Sequence, residues 1–252
     1  MEKTNETKKP KKQRKAWFKV LKQIMRIRYK RPAFVYLGEK FQPGSIILSN
    51  HEGTDAPMSL EIYNPTATRM WGAHEMKSGL KKMYKYQTEV YYHEKKHWSL
   101  FWARAFCLIA TPLTNLFYKG LNLISTYRDA RLKKTLRESM EAINEGMCIV
   151  IYPEDSTNGY LAELEGFHAG FALLCETLRK RNIDVPVYVT YFRKEDKVYI
   201  IDKPVMYSEL YEKYKTKEEI SDVLKNRCNE LGKMQFDKDF LEKTKKENKL
   251  DK

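Results

Sequence analysis

The chain has 252 residues, 42% hydrophobic and 32% charged, with a formal net charge of +14. That length suits one large α/β domain or two small ones. Thirteen Lys or Arg against only Glu2 and Glu6 fall in residues 1–32, a local +11 that leaves about +3 for the other 220, so a basic arm is attached to a nearly neutral body. The four cysteines (Cys107, Cys148, Cys175 and Cys228) lie far apart, which excludes a close-spaced disulfide framework and reads as structural thiols in a reducing compartment.

Residues 1–13 are expected to be disordered on charge and composition. After them Trp17, Phe18, Val20, Leu21, Ile24 and Ile27 interleave with Lys19, Lys22, Arg26 and Arg28. That spacing predicts a basic amphipathic helix over about 15–29, ending before Pro32, with the texture of a segment lying in a headgroup layer. On charge alone the arm fits nucleic acid or an anionic bilayer equally well. Its aromatic-apolar face favours the bilayer, and no stacking platform or helix-turn-helix pattern supports nucleic acid. The alternative for the same helix is docking on the domain with its lysines solvated. The basic start is not followed by an unbroken apolar run, so no secretory signal is expected.

Strands are predicted at 34–37 and 45–48, joined by a turn carrying Gly38, Pro43 and Gly44. A helix is expected from Pro57 and a third strand at 68–73. A tyrosine-rich helical region follows over about 76–118. Its longest uncharged stretch, 105–118, holds fourteen residues, short of the roughly 18 to 20 needed to span a bilayer. It reads as a buried or partly membrane-dipped helix. A strand at 121–126 precedes an amphipathic helix through Leu132, Leu136, Met140 and Ile143, closed by Gly146. Then come a buried strand at 147–152, a helix at 170–179, strands at 185–192 and 197–201, and charged helix from about 208 with Ile220, Val223, Leu224 and Leu231 inward. Alternating strands and helices predict an α/β fold: a mixed, mostly parallel central sheet flanked by helices, forming one domain over 33–252.

Two strand exits carry candidate chemistry. At the first, Ile46-Ile47-Leu48-Ser49 breaks into Asn50-His51, with Asp55 four residues later. A histidine there can take a proton from a hydroxyl if a carboxylate fixes its tautomer, and His51 and Asp55 are the available pair. The bland reading is a histidine before a helix whose first turn favours a carboxylate. At the second exit, Ile151-Tyr152-Pro153-Glu154 is followed by Asp155-Ser156-Thr157. His93-Glu94-Lys95-Lys96-His97 matches the H-E-x-x-H spacing of zinc peptidases, but Lys95 and Lys96 crowd the motif and no third-ligand pattern follows.

Taken in order, these segments resemble the phospholipid and glycerol acyltransferase family of the lysophosphatidate acyltransferase type. Ser49-Asn50-His51 looks like its first motif, Leu123-Ile124-Ser125-Thr126-Tyr127-Arg128 its second, Tyr152-Pro153-Glu154 its third and Val185-Pro186-Val187-Tyr188-Val189 its fourth. Phe167-His168-Ala169-Gly170 is similar to the Phe-x-x-Gly run between the last two. The resemblance covers roughly 45–205. It implies transfer of a fatty acyl group from a coenzyme A or acyl-carrier-protein thioester to a hydroxyl of a lipid or glycerol-type acceptor, with no metal and no other cofactor. It implies His51 as general base with Asp55 beside it, and Asn50, Arg128, Glu154, Ser156, Thr157 and His168 lining the acceptor side. A peripheral position on the cytoplasmic face of the cell membrane is expected. Three departures stand out. The family carboxylate falls at Ala56, one residue beyond Asp55; Asp155 and Thr157 replace the Gly and Arg of the third motif; and His168-Ala169 replace a basic pair. They point away from a lysophosphatidate phosphate, and leave open a catalytically inactive lipid-binding relative.

Overall fold

A computed structural model describes residues 15–77, 79–127, 129–155 and 157–250. The expected disordered stretch at 1–13, and Arg128 and Ser156 among the candidate site residues, lie outside them.

The elements run α1 (Ala16–Met25), β1 (Ala33–Tyr36), β2 (Ile46–Ser49), α2 (Asp55–Tyr63), β3 (Thr68–Ala73), α3 (Leu80–Lys85), α4 (Leu100–Leu121), β4 (Ile124–Thr126), α5 (Leu132–Asn144), β5 (Cys148–Ile151), α6 (Gly170–Arg179), β6 (Pro186–Arg193), β7 (Val198–Ile201), β8 (Val205–Met206), α7 (Tyr207–Lys213), α8 (Lys217–Lys233) and α9 (Lys238–Leu250). A π-helical segment, Tyr86–Lys95, continues α3 towards α4. The eight strands form one sheet in the order β1-β7-β6-β2-β5-β3-β4, with β8 beside β6. Its centre is parallel, and β6 runs antiparallel to β7 and β8. The fold is therefore the expected α/β arrangement of a mostly parallel mixed sheet flanked by helices.

Every residue of β2 and β5 is buried, which is why they read as apolar runs instead of alternating ones. Their side chains still alternate between two cores. Ile46, Leu48, Ile149 and Ile151 face the helices from α5 onward, while Ile47, Cys148 and Val150 face α1, α2 and the end of α4. In register, Leu48 stands beside Ile151, so the loops after both strands leave the sheet side by side. Ligand sites of parallel sheets form at such paired exits.

Several boundaries differ from expectation, among them the end of α1 at Met25. Helix α2 starts at Asp55, two residues before Pro57, because a proline is tolerated in a helix's first turn. Strand β4 starts at Ile124, since α4 runs through Leu121 and stops where Asn122 turns left-handed, φ 51°. The tyrosine-rich region divides into α3, the π segment and α4. Pro112 lies inside α4 without ending it.

Helix α1 is apolar on two sides. Phe18 is fully buried and Leu21 and Met25 pack on the same core, whereas Trp17, Val20, Ile24 and Ile27 point outward. Phe18 lies where Gly120 of α4 has no side chain: a Cβ on Gly120 would sit 1.9 Å from the ring.

Candidate active site

His51 leaves the sheet at the end of β2, and its backbone N–H donates to Glu154 Oε2 at 2.8 Å, just beyond the end of β5. The two strand exits are thus tied together by a buried carboxylate. Burial raises the Glu154 pKa, against the His51 and Leu161 backbone groups that favour the charged form. The next residues turn sharply: Glu52 and Gly53 are both left-handed, with φ of 37° and 63°, and the Gly53 position is the one suited to it.

The imidazole is enclosed by aromatic rings. Tyr160 stacks on it with centroids 4.9 Å apart and planes within 17°, and Tyr152 meets it edge-on at 5.0 Å. Over the Tyr160 ring sit the ammonium groups of Lys95 and Lys96, each 5.6 Å from its centroid. Inside this cover His51 Nδ1 is shielded from solvent with no hydrogen-bond partner among the described residues. The His51 pKa is pushed down to about 4, by burial first, against the Gly53 backbone, and then by the Lys95 and Lys96 charges. At neutral pH the ring is uncharged, the form that accepts a proton.

Asp55 is not brought to that ring. Its oxygens face Arg28 Nη1 at 3.7 Å and Lys194 Nζ at 3.0 Å, and no hydrogen bond or ion pair joins it to His51 among the described residues. The cause is its place at the first residue of α2, after the left-handed turn. Asn50 has a different role from the acceptor contact expected of it. Its Nδ2 donates to the Phe192 carbonyl at 2.9 Å and its Oδ1 accepts from the Phe192 N–H at 2.7 Å. The amide thereby extends the β2–β6 ladder by one step and fixes where His51 departs.

In the third-motif loop Asp155 organises its neighbours. Its Oδ1 accepts from the Thr157 N–H at 3.1 Å and Oγ1 at 2.6 Å, and lies 4.0 Å from His168 Nε2. Asp155 N–H donates to the Gly166 carbonyl at 2.9 Å, and His168 N–H to Pro153 at 2.7 Å. The exposed Thr157 and His168 therefore stand at the rim around Asp155, with Glu154 inside. Sequence reasoning missed Tyr160, Tyr152, Lys95 and Lys96 as site residues. Lys95 and Lys96 had a visible signal, two cations in a row, whereas Tyr160 sits in a loop with no periodicity.

The H-E-x-x-H residues do not form the pair that zinc peptidases need. The π segment ends at Lys95 and His97 lies past it in a left-handed conformation, φ 56°, so His93 and His97 are not at i, i+4 of one continuous helix. Among the described residues no group of three His, Cys, Asp or Glu is placed to hold a metal.

No protein-family model matches the chain, and no curated protein matches it.

Proposed function

We propose that the chain is an acyltransferase that moves a fatty acyl group from a coenzyme A or acyl-carrier-protein thioester to a hydroxyl of a lipid acceptor, at the cytoplasmic face of a membrane. The observation that carries the reading is the uncharged His51 imidazole with an unpaired nitrogen, at paired parallel-strand exits fixed by Glu154 and Asn50. The order of motifs resembling the acyltransferase family supplies the reaction class.

In this mechanism the acceptor hydroxyl gives its proton to His51 while its oxygen attacks the thioester carbonyl. The tetrahedral intermediate collapses with loss of the thiolate, which takes up the acceptor's proton from the imidazolium. A base with a pKa of about 4 is weak at neutral pH, and Tyr160, stacked on the ring, is the group an acceptor would have to displace. Removing that cover rehydrates the ring and raises its basicity.

The rival reading is an inactive lipid-binding relative, and the closed Tyr160 cover and the pairing of Asp55 with Arg28 and Lys194 favour it. Purified protein incubated with labelled acyl-CoA or acyl-carrier protein and a panel of lysolipids and neutral hydroxylated lipids decides between them. Acyl transfer that disappears in His51→Ala supports the enzyme. Lipid binding without transfer to any acceptor, equal in His51→Ala, supports the relative.

A further inference from the structure

We infer that the outward faces of α4 and α1 form one docking surface for an anionic bilayer, with α4 lying in the plane of the headgroup layer. Helix α4 is long and apolar enough to cross a membrane, but it is anchored lengthwise. Ala103, Cys107, Thr111 and Asn115 make a buried stripe against α3 and the π segment, at the i, i+4 spacing of one helical face. Its end at Leu121 is tied into the domain by β4 three residues later. A helix held along its length by the domain cannot also be ringed by lipid.

The opposite face is open. Phe101, Trp102, Leu108, Ile109 and Leu113 are 65–75% exposed, a cluster of large apolar side chains on one helix of the kind that marks an interaction surface. A shallow apolar depression of about 630 Å³ lies at its start, lined by Trp98, Trp102, Ala105 and Phe106. Helix α1 extends the surface, because Phe18 packs on Phe117 at 5.3 Å and leaves Val20, Ile24 and Ile27 outside at 58–73% exposure.

Charge identifies the occupant. Residues 15–30 and 98–122 contain no Asp or Glu, and exposed Lys15, Lys19, Lys30, Arg104 and Lys119 flank the apolar faces. An apolar stripe with cations alone at its margins fits anionic headgroups over acyl chains. A second copy of this chain would instead bring like charges together with no carboxylate to pair them.

The surface also brackets the candidate site. Arg28, just beyond α1, reaches Asp55 at 3.7 Å, and Tyr29 Oη lies 3.3 Å from Thr54 Oγ1. From the other side Lys95 and Lys96 meet the Tyr160 ring that covers His51. Delivery of a bilayer-resident acceptor to His51 follows from this placement and rests on the acyl-transfer reading; the docking does not.

The test uses the full chain and vesicles of phosphatidylcholine, with and without phosphatidylglycerol, and no thioester. The native protein is expected to co-sediment with the anionic vesicles, and its tryptophan fluorescence to be quenched by shallowly brominated lipid. Trp102→Glu/Ile109→Glu/Leu113→Glu, all at exposed positions, is expected to lose ~10-fold or more of that affinity with an unchanged thermal midpoint. Val20→Glu/Ile24→Glu should weaken binding in the same sense. His51→Ala should bind as the native chain does, so a failed acyl-transfer assay leaves this result intact. Unchanged binding by the triple variant, absence of bromolipid quenching, or resistance of the bound protein to alkaline extraction would overturn the proposal. So would a native dimer that the triple variant splits without losing vesicle affinity.

Discussion

Tyr160 lies flat on the His51 imidazole, 4.9 Å away and 17° from parallel, and the two rings are held together from opposite sides of the site. Glu154 fixes the His51 backbone from the strand exit, while Lys95 and Lys96, at the end of the π segment, hold their ammonium groups 5.6 Å from the Tyr160 ring. That contact is part of the burial that depresses the His51 pKa. Access to His51 and basicity of His51 therefore change together.

Acid should destabilise the protein through this ring. The folded His51 pKa of about 4 lies below the ordinary 6.5, so between those values the unfolded chain binds more protons than the native one. The contribution of the buried neutral imidazole is complete above pH 6.5, falls as pH drops towards 4, and is lost below it. The shift corresponds to about 3 kcal/mol. Glu154, with its pKa raised by burial, acts in the opposite sense, so the comparison is between native and variant. His51→Phe keeps a ring against Tyr160 and should flatten the fall. Urea titrations of both proteins at pH 7 and pH 4 check this, and parallel losses in the two would refute it.

Tyr160→Ala should raise the His51 pKa by about one unit or more, because burial is the leading cause of its depression. Lys95→Gln and Lys96→Gln should give smaller rises, since charge is the lesser cause. NMR titration of the His51 ring protons reads all three. In the acyl-transfer reading the acid limb of kcat/KM moves with the same pKa. A ring that still titrates near 4 after Tyr160→Ala would mean that other walls exclude the water.

In the acyl-transfer reading, Asp55→Asn should leave turnover within a few-fold of native. A carboxylate that orients a catalytic imidazole is worth about 10⁴ in rate, but Asp55 faces Arg28 and Lys194 instead. Loss of those part-buried pairs should cost about 1 kcal/mol, and adding Lys194→Gln should cost less than the sum of the two single changes. A drop of several orders of magnitude in Asp55→Asn would show that the loop rearranges during the reaction.

The sheet was legible where burial on both faces wrote itself as an apolar run, as in Ile46-Ile47-Leu48 and Cys148-Ile149-Val150-Ile151. Strand order was not, because nothing local tells β5 to insert between β2 and β3. His51 and Glu154 could be picked out because abrupt polar residues end those runs. The use of Asn50 as an extra step of the ladder, and of Tyr160 as a cover, depends on partners more than a hundred residues away in sequence. Periodicity carries no such information. The amphipathic stripe of α1 was visible, and both bilayer contact and docking on the domain fitted it, but the sequence did not tell which residues serve which side. The inner one needs Phe18 opposite a glycine in another helix, a pairing no local pattern reports.

That pairing gives the last prediction. Gly120 sits inside α4, where glycine costs about 1 kcal/mol relative to alanine. It is accommodated because the Phe18 ring occupies the space of its missing side chain, 1.9 Å from where a Cβ would be. Gly120→Val should therefore expel Phe18 from its fully buried position and lift α1 from the domain. The loss should approach the roughly 3–5 kcal/mol of a buried Phe→Ala change, with new protease cleavage in residues 15–30. Phe18→Ala should be costly alone, yet Gly120→Ala added to it should be stabilising, because the space is then empty and the helix gains an alanine. Thermal melts of the two single variants and the double variant give the coupling directly. Additive effects would show that Phe18 and Gly120 do not share one site and that α1 is held elsewhere.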